Sequence, residues 1–468
     1  MTLGAASVAA TGPDDGANER DAVLSPCTLP DVKQPARCGI IEVPENWDRP
    51  GRRLPIHVVV LPATNAPALP DPIVVLMGGP GEDAISGASL FASLFASLRD
   101  RRDLVLIDQR GTGESAALRC AFYSADDPAT NLRDLFPPAA VEECARRLQT
   151  QADLTQYTFA HFARDLEHIR RTLGYGPINV NAGSFGTRAA QVFLRAYPQS
   201  VRTAYLHSVV PIDVPIPLPM AKIEDQSLEQ TFAACAAEPA CSAAFPNLRE
   251  EFRDIRTQLD KGNAKVTISG REGTVTLNRG RVGEWFRSLL YRPSSAADLP
   301  WLIHRAHQGD WQSIADRILE SSRALDSNLS LGLFFSITCS EDLAFIRDAD
   351  IERETRGTFA GDYRVRQQQS ACRHWPKASL PASYRTPVRS AVPTLFASGD
   401  MDGGSPLWFT EHAAPGFSDR AAVVVRGKGH TEWTDCLGRV YERFVRSGKT
   451  SGLDTSCEPV PRPPFRTQ

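Results

Sequence analysis

One serine in this chain sits where a hydroxyl could be made to react. Asn179-Val180-Asn181-Ala182-Gly183-Ser184-Phe185-Gly186-Thr187 runs from a short apolar strand candidate into small residues. A helix-like segment, Ala189 to Tyr197, follows and stops at Pro198. A serine at a tight strand-to-helix turn presents its oxygen to a substrate, with the helix N-terminus pointing toward it. The usual pattern is G-x-S-x-G, and Ala182 stands at its first glycine. A serine hydroxyl is a weak nucleophile until a base takes its proton, so a histidine and an orienting acid are required elsewhere. His430 is the candidate base. Alone among the nine histidines, it lies in a glycine-rich loop, Gly427-Lys428-Gly429-His430, after an apolar run, Ala421 to Val425. The acid candidate is Asp402, three residues after Gly399 at the end of Val392 to Gly399, with Asp400 as the alternate. Such a triad performs acyl transfer through a covalent intermediate and needs no metal or organic cofactor.

The elements that must position these groups can be read next. Pro72 to Met77 is a buried-strand candidate that runs into Gly78-Gly79-Pro80-Gly81. A glycine turn there lets backbone N–H groups approach a ligand oxygen with no Cβ in the way. The oxyanion donors are therefore assigned to the N–H groups of Gly79 and Phe185. A further strand candidate, Leu104 to Asp108, leads into Gln109-Arg110-Gly111-Thr112-Gly113-Glu114-Ser115. Asp108, Arg110 and Glu114 are expected to brace the oxyanion loop, not to react. His161 and His168 fall on an amphipathic helix with the apolar stripe Phe159, Phe162, Leu166, Ile169 and Leu173, which suits packing. The order Ser, Asp, His is that of an α/β-hydrolase fold, a mostly parallel central sheet flanked by helices.

The chain divides on this reading into four stretches. Residues 1–26 are a signal remnant or disordered N-terminal segment. Residues 27–211 are the first part of the core, 212–386 an inserted mainly helical cap, and 387–468 the second part of the core. Pro211 to Pro219 is proline-rich and reads as the exit from the core. Within the cap stretch, Val282 to Leu290 is a helical pattern and Leu329 to Ile337 an apolar run. A cap excludes water and decides which substrates enter.

Composition excludes other classes. The 468 residues exceed what one hydrophobic core usually serves. A net charge of -3 provides no basic face for nucleic acid. No apolar run approaches the roughly 20 residues that span a bilayer. There is no internal repeat, metal-ligand spacing or phosphate loop. The ten cysteines contain no C-x-x-C pair. Eight fall as near neighbours: Cys27 with Cys38, Cys120 with Cys144, Cys235 with Cys241, and Cys436 with Cys457. Sequence leaves the connectivity open, but an even count suits disulfides in an oxidising compartment, hence a secreted or periplasmic protein. Met1 to Ala10 resembles the tail of an export signal without its positive start, and Thr11 to Arg20 is polar.

From about Cys27 to Cys457 the chain resembles α/β-hydrolase serine peptidases of the proline iminopeptidase and tripeptidyl aminopeptidase family, in its secreted bacterial branch with a TAP-like C-terminal region. The resemblance is carried by Cys38-Gly39 through Val43-Pro44-Glu45-Asn46-Trp47, the Gly-Gly-Pro-Gly turn, and Asp108-Gln109-Arg110-Gly111-Thr112-Gly113. Gly183-Ser184-Phe185-Gly186-Thr187-Arg188, Thr338-Cys339-Ser340-Glu341-Asp342, Cys372-Arg373-His374-Trp375-Pro376 and the two C-terminal loops complete it. Met77 replaces the family's frequent His and Phe185 its frequent Tyr, and neither change removes a backbone donor. The resemblance implies a peptide substrate cleaved from a free N-terminus, and it supports pairing Cys339 with Cys372. A cationic amine calls for crowded carboxylates. Glu341 and Asp342 are the candidates, with Glu224 and Asp225 less favoured. Two other classes stay open: a carboxylesterase or lipase-like hydrolase, favoured if Leu329 to Ile337 faces the pocket, and a non-catalytic binder, against which the intact triad argues. Oligomeric state is not legible.

Overall fold

Short runs of β-branched residues bounded by turns become the central strands. In the computed structural model, which describes residues 22–268 and 272–468, Ile73–Leu76 (β4) and Leu104–Ile107 (β5) are buried along their whole length. Continuous apolar runs of this kind mark strands covered on both faces. The expected signal remnant Met1 to Ala10 and the polar stretch Thr11 to Arg20 lie outside the described residues.

Nine strands form the main sheet in the order β1-β2-β3-β5-β4-β6-β7-β10-β11. The remaining seven strands are Ser25–Leu29 (β1), Val32–Pro44 (β2), Arg53–Leu61 (β3), Ile178–Gly183 (β6), Val201–His207 (β7), Thr394–Gly399 (β10) and Arg420–Val425 (β11). The first three pair antiparallel, and every pairing from β5 to β11 is parallel. This is an α/β-hydrolase sheet, mostly parallel and flanked by helices. Its parallel strands bring their carboxyl ends to one edge, where ligands of open α/β sheets bind. The turns after β4, β6, β10 and β11 all lie there.

Between β7 and β10 the chain is mainly helical, from Met220–Ala237 to Tyr363–Arg373, with one small hairpin of Lys265–Thr267 (β8) and Thr274–Thr276 (β9). Much of this insertion has its own core, built around Phe232, Trp285, Phe286, Ile303, Ile314 and Phe359. The helix Leu331–Glu341 does not belong to it. Leu331, Leu333, Phe334, Phe335 and Ile337 join the main core with the sheet strands and the helix Phe159–Thr172.

All ten cysteines are paired: Cys27–Cys38, Cys120–Cys144, Cys235–Cys241, Cys339–Cys372 and Cys436–Cys457. Among the described residues no helix is long and apolar enough to cross a membrane. Cys339–Cys372 ties Leu331–Glu341 to Tyr363–Arg373 across 33 positions. Replacing both cysteines by alanine is expected to lower unfolding free energy by about 2–4 kcal/mol in urea melts. An unchanged midpoint and slope would show that packing alone holds those helices.

Candidate active site

The elbow is built by close approach. β6 ends at Gly183, the helix Gly186–Ala196 begins three residues later, and Ser184 between them has φ 52°. That left-handed conformation is costly for a residue with a Cβ and recurs at functional turns. The helix starts earlier than the expected Ala189, directly at the turn. Gly186 is required there, since a Cβ would press into the carbonyl oxygens of Leu76 and Met77. Ala182 is fully buried in the main core, so its methyl is accommodated at the position usually held by glycine.

Ser184 meets its partners directly. His430 Nε2 lies 2.8 Å from Ser184 Oγ. His430 Nδ1 lies 2.9 and 3.0 Å from the two carboxylate oxygens of Asp402. A proton on Nδ1 donated to Asp402 leaves the Nε2 lone pair facing the hydroxyl. Asp402 is 4% exposed and also accepts from the backbone N–H groups of Gly404 at 2.8 Å and Ser405 at 2.7 Å. Asp400 is exposed and accepts from Gly427 N–H at 2.7 Å, so it caps the other loop and does not reach the imidazole. The backbone N–H of His430 donates to Tyr291 O at 2.6 Å, and the Tyr291 ring stands edge-on to the imidazole at 4.8 Å.

The oxyanion candidates flank this pair. Gly79 has φ 103°, a conformation glycine adopts freely. A Cβ on Gly78 would lie 3.0 Å from Ser184 Cβ and 3.4 Å from Phe185 N, so the two turns touch. Gly79, Ser184, Phe185 and His430 line one small pocket of about 60 Å³.

The braces behind the site were only partly anticipated. Asp108 accepts from Ala84 N–H and Ile85 N–H, both at 3.0 Å, holding the segment after the glycine turn. Arg110 forms a fully buried pair with Asp165 at 2.6 Å and donates to the carbonyls of Glu45 and Gln156. Glu114 differs from expectation: its side chain is 77% exposed, with Arg119 at 3.9 Å, and only its backbone N–H joins the brace, donating to Asp108 at 3.3 Å. His207 was given no role by sequence. Its carbonyl accepts from Ser184 N–H at 2.9 Å, and burial, with the charge of His430 beside it, pushes its ring down to about 4.

Glu341 and Asp342 are corrected. Neither lines the cavities at Ser184. Glu341 accepts from Phe159 N–H at 2.8 Å and from the Tyr384 hydroxyl at 2.5 Å. Asp342 is fully buried, 2.7 Å from Arg188 Nη1, and accepts from Ile216 N–H at 2.9 Å. The Arg188 guanidinium lies 4.7 Å over the Phe185 ring, so Asp342 steadies the elbow from behind. Glu224 and Asp225 also lie off these cavities, and Asp225 accepts from Phe359 N–H at 3.0 Å.

The main cavity, about 510 Å³, runs from Ser184, Gly79 and His430 into the helical insertion. Leu329, Leu331 and Phe334 lie on its wall, so part of the apolar run faces the pocket, while Leu333, Phe335 and Ile337 point into the core. Its charged lining is Glu82, Arg281, Glu284, Arg287, Arg292 and Arg364. Glu82 forms no ion pair with any described residue, and burial pushes its carboxyl up against the opposing charge of His430. Sequence signalled Glu82 only by its place directly after the glycine turn. Among the described residues, no cluster of side chains could hold a metal ion.

Comparison with known proteins gives this geometry a family. Residues 71–248 match the family described as alpha/beta hydrolase fold, and residues 357–457 the one described as TAP-like protein. Serine protease Hip1 of Mycobacterium tuberculosis is 30% identical over 92% of this chain and 90% of its own. Tripeptidyl aminopeptidase of Streptomyces lividans is 22% identical over 92% of this chain and 86% of its own. The solved proline iminopeptidase of Mycobacterium smegmatis overlaps more loosely, with TM-score 0.44 and 14% identity over 88% of this chain and 98% of that one. The chain is a serine hydrolase and belongs to the α/β-hydrolase serine peptidases with a TAP-like C-terminal region.

Proposed function

We propose that the protein is an aminopeptidase or tripeptidyl aminopeptidase in which Ser184, His430 and Asp402 act as the triad. The observation that carries this reading is the unbroken hydrogen-bonded line from Asp402 through His430 to Ser184 Oγ. His430 takes the hydroxyl proton as Ser184 attacks the acyl carbon, and Asp402 stabilises the imidazolium. The backbone N–H groups of Gly79 and Phe185 stabilise the tetrahedral oxyanion. His430 then protonates the leaving amine, and water releases the acyl-enzyme by the same route in reverse. Cleavage from a free N-terminus is supported by the name of the Streptomyces relative. Glu82 replaces Glu341 and Asp342 as the carboxylate available to a substrate ammonium. Five disulfides support secretion or a periplasmic location. The helical insertion acts as the cap, and residues 27–211 and 387–468 as the two parts of the core.

A second reading is a carboxylesterase. Leu329, Leu331 and Phe334 on the cavity wall favour it, as does a relative named Carboxylesterase B, 31% identical over 44% of this chain. Kinetics on Ala-, Pro- and trialanyl-anilides beside short and long acyl esters separate the two. The peptidase reading expects kcat/KM on at least one free-amine anilide to exceed that on its N-acetylated form. Turnover of esters alone would replace it with the second.

Four sets of variants test the assignments. Ser184→Ala is expected to lower kcat by on the order of 10⁶-fold. Asp402→Asn should cost about 10⁴-fold and Asp400→Asn far less; equal losses would undo the choice of acid. Glu82→Gln should raise KM for free-amine peptides but leave N-blocked esters unaffected, and an equal rise on both would remove Glu82 from amine recognition. Glu341→Gln should shift neither KM. Its effect is on stability, because burial, reinforced by the Asp342 charge, pushes the Glu341 carboxyl up from 4.5 to about 7. A carboxyl raised on folding supports the fold below its unfolded pKa and loses that support as pH rises through the folded one. Wild-type stability should therefore fall between about pH 4.5 and 7, by up to about 3 kcal/mol. Glutamine mimics the protonated acid, so Glu341→Gln should flatten that slope in urea melts. A slope unchanged by the substitution would assign it to other groups.

A further inference from the structure

The wall that the insertion gives the main cavity carries more positive than negative charge, and its Arg287 and Arg364 also line the small pocket at Ser184. Arg281, Arg287 and Arg364 lie on that wall with a single carboxylate, Glu284. Burial alone would push Glu284 up, but Arg287 and Arg364 hold it down at about 2, so it is ionised. Arg287 binds it through two nitrogens, at 2.6 and 3.1 Å, and Arg364 Nη1 also donates to it. Glu224 is the next acid inward, behind Gly283 and off the cavity. Burial, then Asp225 and Glu284, push its carboxyl well up, which disfavours its charged form.

Arg281 is the residue left over. It is 2% exposed, yet it forms no ion pair with any described residue. Its Nε donates to Asn131 O at 3.0 Å and its Nη2 to Ser322 Oγ at 2.9 Å, both neutral acceptors. Glu284 and Asp134 attract it without pairing with it, and a buried guanidinium with no directly paired counter-ion is costly unless an anion reaches it. Arg364 is anchored by Gln368 at 2.8 Å and stacks over Phe136 and Phe334, which fixes its plane at the wall.

We infer that this wall of the cavity is a carboxylate-binding subsite, formed by Arg281 and Arg364, that selects substrates carrying an acidic group to one side of the bond cleaved. Resting on the peptidase reading above, this names the substrate class: peptides with an acidic side chain on the acyl side, or with the free terminal carboxylate of a short leaving peptide. Glu284 is engaged by Arg287 and Arg364, so one carboxylate offsets only part of the charge of the three arginines. A substrate carboxylate neutralises that excess in a water-poor cavity, where planar guanidinium groups match its two oxygens.

The test is kcat/KM on trialanine p-nitroanilide with Glu or Gln at each position in turn, and on tetra-alanine with a free or amidated terminus. The acidic member of at least one pair should exceed its neutral twin by at least about tenfold. That ratio should fall toward one in both Arg281→Gln and Arg364→Gln. A ratio won only by Glu anilides assigns the carboxylate to the acyl side, and one won only by the free terminus assigns it to the leaving side. Ratios near or below one for every wild-type pair, or a preference surviving both variants, would overturn the subsite. If Arg281→Gln does not fold, the wild-type ratios and Arg364→Gln decide. If no peptide is cleaved, the peptidase reading fails by itself, and hemisuccinate against butyrate esters put the same question to the subsite, with the same tenfold expectation.

Discussion

Everything in the candidate site depends on one imidazole held between two loops of different origin. His430 reaches Ser184 because β11 lies two strands from β7, whose own neighbour β6 ends at the elbow. It reaches Asp402 because the loops after β10 and β11 pass in near contact, with Met401 N–H donating to Lys428 O at 3.0 Å. Glycine at 399 permits this, since any Cβ would enter the carbonyls of Lys428 and Gly429. Tyr291 completes the clamp from the insertion, accepting from the base-loop backbone while its ring closes over Gly404. The geometry of the candidate site is thus shared between the sheet edge and the helices above it.

Buried charge is used here mainly as scaffolding. Asp108 holds the segment after the glycine turn, Arg110 with Asp165 locks the loop after β5 to the helix Phe159–Thr172, and Asp342 with Arg188 steadies the turn at Phe185. Such pairs contribute little net stability, because desolvation offsets much of the attraction, but losing one partner strands the other. Asp108, Arg110, Arg188 and Asp342 lie within the strings that carry the family resemblance, where they could be mistaken for reacting groups. Of the ionisable groups that face the cavity, Glu82, Glu284 and the arginines of the insertion stand outside those strings.

That division explains what could be read without coordinates. Strands of four to six apolar residues followed by glycine turns are local patterns, so the elbow, the glycine turn and the acid and base loops were legible. Spacing also preferred Asp402, which meets His430 Nδ1, to Asp400, which instead accepts from Gly427 N–H. The roles of Glu341 and Asp342 were not, because they depend on Phe159, Arg188, Ile216 and Tyr384, which are remote in the chain. A carboxylate satisfied by distant donors looks the same in sequence as one waiting for a substrate amine. Arg281 posed the converse problem. Its significance lies in having neutral acceptors, Asn131 and Ser322, where an ion-paired carboxylate could stand, and both are remote in the chain.

The most direct measurement is labelling of the folded protein with a fluorophosphonate, followed by intact mass and peptide mapping. The account predicts one adduct per chain, located at Ser184, with labelling abolished in His430→Ala. No adduct on folded protein, or an adduct at another residue, would contradict it.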